Sequence, residues 1–522
     1  MTARAANSES RRHLPWMLLL FFGSGCAALI YEIVWLQLLQ LVIGLTTVSL
    51  GLLLGTFMGG MCLGSLLLSR IISARHHPLK VYAALELGIG VIGIAILFVL
   101  PAVANIYTAN AGHGLMGILI RGVVAAICLL PPTLLMGATL PAMSRWVEST
   151  PQGVSWLGFF YGGNIAGAVV GSLLAGFYLL RVHDMATATY VAALINGAVA
   201  LLAFGLSMVA TRVSTDDSVD METRAPESGI GYPASESQAR AVYFVIALSG
   251  LAALGAEVVW TRLLSLLLGA TVYTFAIILA VFLVGLGIGS AVGSFLSRSL
   301  VRPRMALGLC QMMLIPAIAW AAYSITQSLP HWPINPTLSS SPSFTFQLDL
   351  ALCFWTLLPA AILWGASFPL ALAAVATRGG DPGRLVGAVY AANTVGAIVG
   401  ALGFSLFVIP MAGTQSAERW LIALSVLSAV VALAPFLRGS HALASFGTEP
   451  RQSLLKLSFG GVATLVTLLA VAAWLASTVI PIPWGLIGYG RFTATYGNRL
   501  AEGMWDEKNI PATGGPPDIF AT

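Results

Sequence analysis

The strongest constraint in this sequence is an apolar motif that occurs twice. The first copy lies within residues 24–65 and the second within residues 249–290, displaced by 225 residues (249 minus 24). The recurring polar and aromatic positions pair as Ser24 with Ser249, Glu32 with Glu257, and Trp35 with Trp260. A duplicated apolar segment that keeps a glutamate in each copy predicts two similar membrane halves with polar groups between them.

The composition predicts a polytopic membrane protein. Hydrophobic residues make up 58% of the chain and charged residues only 9%, whereas soluble domains carry about 25% charged residues. Apolar stretches of about 20 residues, long enough to span a bilayer, predict an all-α fold of two six-helix bundles plus a thirteenth helix. The predicted units are a first half at 1–211, a linker at 212–240, a second half at 241–438, a loop with the extra helix at 439–480, and a polar tail at 481–522.

Lysine and arginine residues predict the orientation of the chain. They cluster before the first span, after every even-numbered span and in the linker, and the opposite connections carry almost none. The positive-inside rule therefore places the N terminus and the linker in the cytoplasm. Because six is even, both halves take the same orientation and form a parallel repeat. Thirteen spans would place the tail outside.

The repeated motifs resemble a known family. The segments Ser24–Trp35, Ser249–Arg262 and Tyr390–Gly396 resemble the membrane part of bacterial fused "MFS/spermidine synthase" proteins. The resemblance implies a major-facilitator-like fold, a bacterial inner-membrane location, a polyamine-like solute and a spermidine-synthase-like domain beyond Thr522. Two features depart from the expected pattern. Gln37 stands where an arginine is common in the family, and the segment Gly64–Arg75 has arginines but lacks the aspartate usual in the major-facilitator loop after helix two.

Glu32 and Glu257 are the first candidate site residues. A charge at membrane depth costs about 2.5–3.5 kcal/mol on insertion scales, so such side chains normally face a cavity or a partner. Two interpretations remain open. The glutamates line a solute site between the halves, or they tie neighbouring helices together.

Trp35 and Trp260 follow the glutamates by three residues, on the same helix face. They would floor a cation site through cation–π attraction, or they would anchor helix ends at the membrane interface, which is the commoner use of tryptophan. This commoner use favours the interfacial interpretation.

Other polar residues of the first half have polar counterparts at the equivalent positions of the second half, not always of the same type. Glu86 aligns with Gln311, which predicts a buried interhelical hydrogen bond, with a proton-coupling role as the alternative. Asn164 and Asn393, with Tyr161 and Tyr390, either line a cavity or tie close helix crossings rich in small residues. Arg262 and Arg121 are candidate counter-ions, and Arg262, which lies five residues from Glu257 and off its face, is expected to pair with a residue of another helix. Counting embedded charges gives three acids (Glu32, Glu86, Glu257) against these two bases, which favours a cation weakly.

The leading functional prediction is a transporter-like domain for a small polar or cationic, polyamine-like solute. The alternatives are a non-transporting scaffold or subunit of a larger membrane complex, and a membrane anchor for an aminopropyltransferase-like enzyme. No cofactor, catalytic residue, metal site or nucleic-acid contact is expected, because the sequence has no catalytic triad, P-loop, metal-ligand spacing or basic patch. The lipid bilayer and, under the second alternative, partner subunits are the expected partners.

Overall fold

The structure is a computed structural model that describes residues 2–43, 47–71, 77–110, 115–147, 153–209, 236–297, 300–332, 341–376, 382–437 and 459–492. All regular secondary structure in these ranges is helical. Twelve described segments are long and apolar enough to cross a membrane. One of them, Gly387–Leu437, has 51 residues and would measure about 77 Å at about 1.5 Å per residue, against a hydrocarbon core of about 30 Å. It leaves helical geometry at Gly413 (φ 78°), so it makes two passes and the described residues make thirteen.

The first half contains six helices. They are α1 (Thr2–Ile43), α2 (Thr47–Ile71), α3 (Pro78–Asn110), α4 (Leu115–Val147), α5 (Gly153–Leu174) and α6 (Met185–Val209). A π-helical turn, Ala175–Leu179, and a short helix, Leu180–Val182, continue α5. Helix α1 begins well before the apolar run that starts near residue 15, because its first turns are polar and extend beyond the hydrocarbon region.

The second half repeats this order. It contains α7 (Glu236–Leu268), α8 (Val272–Ser297), α9 (Pro303–Tyr323), α10 (Pro342–Val375), α11 (Pro382–Gly403) and α12 (Ile409–Leu437), followed by α13 (Phe459–Thr478) and the short α14 (Trp484–Tyr489). Helix α7 begins inside the segment predicted as linker, because its first polar turn projects past the apolar span. A π-helical turn, Phe404–Val408, joins α11 to α12.

The two halves use the same helix pairs. Helices α1 and α5 pack together as α7 and α11 do, α2 and α4 as α8 and α10 do, and α3 and α6 as α9 and α12 do. A Cβ atom added to Gly25 would lie 2.1 Å from the Asn164 main-chain oxygen, and one added to Gly250 would lie 2.2 Å from that of Asn393. Only glycine permits these crossings, and their match in both halves confirms the predicted parallel repeat.

The halves meet through two further helix pairs, α2 with α11 and α5 with α8. The π-helical turns of α5 and α11 occupy equivalent positions, 229 residues apart (404 minus 175). Each turn contacts the opposite half: Gly176 lies against Ala276, and Ser405 lies against Gly51. These contacts fall near the end of the bundle where α7 ends. We call this end the far side, and the end where α7 begins at Glu236 the linker side.

The segment after α13 folds back onto the far side of the second half. Arg491 makes a bidentate ion pair with Asp349 of α10, at 2.8 and 3.1 Å. The same guanidinium donates to the main-chain oxygen of Leu268, at the end of α7. Leu486 of α14 is fully buried beneath it. The start of the tail therefore lies at the opposite end of the bundle from the start of α7.

Helix α13 lies at the edge of the second half, and only 11% of its apolar segment Gly461–Thr478 is buried. Polar side chains of the second half hold its C-terminal end. Arg419 donates to the main-chain oxygens of Ala476 and Val479, and Gln415 donates to Val479 at 2.9 Å. These donors satisfy carbonyls that the end of a helix leaves without partners.

The ion pair of Arg491 and Asp349 predicts a stability effect. Arg491→Ala leaves a mostly buried carboxylate without a cation, which costs about 3–5 kcal/mol. We expect a clear fall in the melting temperature of the detergent-solubilised protein. The double variant Asp349→Asn/Arg491→Gln removes both charges and should recover much of the loss. A single variant as stable as the parent would contradict the tie.

Candidate functional site

Glu32 and Glu257 lie in the interior, on α1 and α7. Their side chains are 5% and 6% exposed, and their carboxylates are close enough to interact electrostatically. Neither carboxylate has a hydrogen bond or an ion pair with another residue in the described part of the chain. The structure thus brings together the two glutamates that the repeat predicts as equivalent, and none of the described residues supplies a cation for them.

Aromatic rings pack beside the glutamates. Trp35 stacks on Tyr31 with ring centroids 4.8 Å apart, and Trp260 packs against Trp364 at 5.5 Å. Trp35 and Trp260 are 1% and 0% exposed. The interfacial-anchor interpretation of these two tryptophans is therefore wrong, because an anchor must reach the headgroup region. Each indole lies one helical turn from its glutamate and faces the core.

Several hydrogen-bond donors, four on the two helices that carry the glutamates and one on Trp364 beside Trp260, are buried without a partner among the described residues. They are Tyr31 Oη, Trp35 Nε1, Trp260 Nε1, Thr261 Oγ1 and Trp364 Nε1. Leaving a buried donor unpaired costs about 1–3 kcal/mol, so such a group in a native protein calls for an explanation. Two of the five are the equivalent tryptophans of the repeat. Donors and carboxylates together can receive a solute that has both a positive charge and hydrogen-bond acceptors.

The other predicted residues divide between packing and surface. Asn164 donates to the main-chain oxygen of Phe21 at 3.3 Å, and the Asn393 side chain lies against Gly250, so both serve the helix crossings. Tyr390 is half-buried, and the side chain of Tyr161 lies outside the described residues. Arg262 is exposed, because five helical residues turn it away from the buried face of Glu257. It does not act as a counter-ion to that glutamate, and Arg121 is half-buried on α4.

Glu86 lies in a fully buried polar cluster of the first half. Ser24 donates to Glu86 Oε1 at 2.6 Å. The Tyr82 hydroxyl lies beside the carboxylate and donates to the main-chain oxygen of Leu20 at 3.4 Å. From α6, Asn196 donates to the main-chain oxygen of Glu86 at 3.3 Å. The cluster joins α1, α3 and α6.

Gln311 lies in the equivalent cluster of the second half. Its amide nitrogen donates to Ser367 at 2.7 Å and to Ser249 at 3.4 Å, and its amide oxygen accepts from Ser428 at 3.0 Å. The pairs Ser24–Glu86 and Ser249–Gln311 both span 62 residues. The predicted interhelical hydrogen bonds are therefore present in both halves.

The apolar spans contain two buried acids, Asp349 and Glu418, besides the three that the sequence predicts (Glu32, Glu86 and Glu257). Asp349 pairs with Arg491, a residue of the tail that no pattern connects with α10. Glu418 of α12 is 1% exposed, and its Oε1 has no partner among the described residues. A search for every acid inside an apolar span, rather than for acids in the repeated motif, would have found both. The described residues contain no group of three or more acids, histidines and cysteines suited to a metal ion.

The contacts between the halves loosen from the far side towards the linker side. An added Cβ at Gly51 would lie 1.8 Å from Ser405, one at Gly55 would lie 2.9 Å from Leu402, and one at Gly59 would lie 3.9 Å from Ile398. Helices α2 and α11 therefore approach most closely at the far side and diverge below it. The halves are therefore in close contact on the far side, and along α2 and α11 they separate towards the linker side.

Comparison with solved structures establishes the fold. The chain matches a variant of the nucleoside transporter NupG with a TM-score of 0.51 at 12% identity, over 81% of this chain and 99% of that chain. A bacterial homologue of the human lysosomal transporter Spinster matches with a TM-score of 0.49 at 14% identity, over 94% and 97%. No family model and no curated protein matches the sequence. The chain is an all-α, polytopic membrane protein with a major-facilitator-like fold.

The divergence of α2 from α11 predicts a pattern of cross-linking. The pair Gly55→Cys/Leu402→Cys, near the far side, should form a disulfide rapidly under mild oxidation. The pair Leu63→Cys/Val395→Cys, further towards the linker side, should react slowly, since both side chains are about half exposed. The parent protein is the background control, because its five cysteines are free and buried. Faster reaction of the second pair would contradict the closed far side.

The Gln311 cluster predicts a loss of stability. Gln311→Met keeps the volume but removes three hydrogen bonds, and it leaves the Ser249 hydroxyl without its partner while Ser367 and Ser428 keep bonds to main-chain oxygens, at a cost of about 1–3 kcal/mol. The melting temperature in detergent should fall. Thr467→Val, which removes a hydroxyl bonded only within the exposed face of α13, should leave it unchanged. Equal melting of both variants would show that the cluster contributes nothing.

Proposed function

We propose that this protein moves a small cationic solute across the membrane and that Glu32 and Glu257 compensate its charge. The observation that carries the proposal is the pair itself. Two buried carboxylates lie within electrostatic reach of each other, and no described cation pairs with them. Two like charges in a low dielectric repel each other, so the pair requires protons or a cation that the described residues do not supply.

The position of the pair supports this function. It lies between two halves that are related as parallel repeats, and such interfaces hold the substrate sites of transporters with internal repeats. Because α2 and α11 separate towards the linker side, we place the route of the solute to the pair on that side. Positive-inside orientation makes that side the cytoplasm of a bacterial inner membrane.

The aromatic and donor groups narrow the solute class. The faces of Trp35 and Trp260 suit an ammonium group by cation–π attraction. The unpartnered indole and hydroxyl donors suit oxygen atoms on the same solute. A polyamine satisfies the first requirement, and an amine that carries hydroxyl groups satisfies both.

A second candidate function is a membrane scaffold. The specific observation in its favour is the largely exposed α13, a helix beyond the twelve that form the two halves. Such a surface suits a partner subunit or an attached domain, including the spermidine-synthase-like transferase of the fusion proteins that the sequence resembles. A scaffold, however, has no use for two unpaired carboxylates at its centre.

The glutamate pair predicts the outcome of an uptake experiment. Proteoliposomes would be tested with labelled putrescine, spermidine and ethanolamine. Glu32→Gln and Glu257→Gln should each lower uptake about 10- to 100-fold, because an interaction with a charged group contributes about 1.5–3 kcal/mol.

Glu418→Gln is the matched control, since it neutralises another buried glutamate of the second half. It should keep parental uptake. Folding of every variant is checked by melting temperature in detergent. Well-folded pair variants with parental uptake would defeat the transport assignment, and variants that fail to fold would favour the scaffold.

A further inference from the structure

Two oxygen atoms in the first-half cluster accept no hydrogen bond. Glu86 is 0% exposed and Asn196 is 2% exposed. Glu86 Oε2 and Asn196 Oδ1 both have no partner among the described residues, although the Asn196 amide contacts the Glu86 main chain. A buried carboxylate oxygen and a buried amide oxygen that accept no hydrogen bond are each unfavourable. A single proton on Glu86 Oε2 removes the charge and supplies the missing donor.

The second half shows what that proton replaces. At the position equivalent to Glu86, Gln311 has an amide that donates to Ser249 and Ser367. The hydrogens of that amide are covalently fixed at every pH. Glu86 has the same shape and the same serine partner on the equivalent helix, but its donor must be acquired. The two halves therefore differ in one exchangeable hydrogen.

We infer that Glu86, with Ser24 and Asn196, forms a proton-binding site that couples the movement of solute to a proton gradient. Binding is the reversible addition of one proton to Glu86 Oε2, and no other bond changes. The inference rests on the proposed transport function for its coupling role. The second half, with Gln311, binds no such proton, so one proton is exchanged per cycle at this cluster.

Among the described residues, no fixed charge lies beside Glu86. The groups that face Glu86 are Ser24 from α1, Tyr82 on its own helix α3, and Asn196 from α6. On this stretch of α3 the contact from α4 is apolar, with Leu135 against Gly88. The carboxylate is thus surrounded by neutral donors and acceptors, where gain or loss of a proton changes the local charge fully.

Tyr31 links this cluster with the central pair. Its ring lies against Gly93 of α3, two helical turns from Glu86, and its hydroxyl has no partner among the described residues. The hydroxyl is within electrostatic reach of Glu86, and the next residue in the chain is Glu32. A change of charge at Glu86 therefore changes the electrostatic potential at the turn of α1 that carries Glu32.

Two measurements test the inference. The first is infrared difference spectroscopy of the purified protein across a pH titration, which detects the carbonyl band of a protonated carboxyl group. The parent should show a band that Glu86→Gln lacks and that Glu86→Asp shifts. This measurement requires no solute.

The second measurement uses proteoliposomes with labelled putrescine and an internal pH dye. Glu86→Gln should keep equilibrium exchange of putrescine, lose accumulation driven by a pH gradient, and lose the associated pH change. Glu86→Asp should restore part of the accumulation. Ser249→Ala, which alters the second-half cluster without a titratable group, is the matched control and should remain coupled.

The outcomes separate this inference from the proposed function. Loss of the band together with uncoupled exchange supports both. An unchanged band in Glu86→Gln overturns the proton site, and a lost band with intact accumulation overturns its coupling role. If Glu86→Gln loses the band but the parent protein transports none of the tested amines, the transport proposal is overturned and the proton site is kept.

Discussion

The cost of a carboxylate inside a bilayer determines much of this structure. An acid at membrane depth must be paired, hydrogen-bonded, protonated or turned towards a cavity. Asp349 is paired with Arg491 near the start of α10, and Glu86 accepts a hydrogen bond from Ser24. Glu32 and Glu257 have neither a cation nor a donor among the described residues. Glu32 and Glu257 are the uncompensated acids that the repeat brings together, and Glu418 of α12 is a further buried acid whose Oε1 has no partner among the described residues.

Close helix crossings fix the positions of the two helices that carry Glu32 and Glu257. Glycines at Gly25 and Gly250 let α1 and α7 contact the main chains of α5 and α11. Because lipid tails solvate apolar side chains as well as other helices do, such close backbone contact is a main source of helix association in membranes. The same crossings orient Glu32 and Glu257 inward. A larger residue at either glycine would move the helix that carries the glutamate.

Much of the fold follows from the sequence, because a bilayer leaves few alternatives. Apolar length predicts the spans, and the duplicated Ser-Glu-Trp spacing predicts the matched halves. The bond between Ser24 and Glu86 could be anticipated only as an interhelical contact, since spacing does not identify the partner. The pairing of Arg491 with Asp349 joins residues 142 apart and has no local signal. The burial of Trp35 contradicts a statistical preference of tryptophan for interfaces, because stacking on Tyr31 and the inner position of α1 outweigh it.

The central claim is that Glu32 and Glu257 line a water-accessible interior that opens on the linker side. Its most direct test is labelling of Glu32→Cys and Glu257→Cys by a membrane-impermeant thiol reagent from each side, with Ser218→Cys and Ala501→Cys as markers of the two sides. The account predicts that both substituted cysteines react from the side of Ser218 and are protected from the side of Ala501. Reaction from the Ala501 side alone, or from neither side, would contradict it.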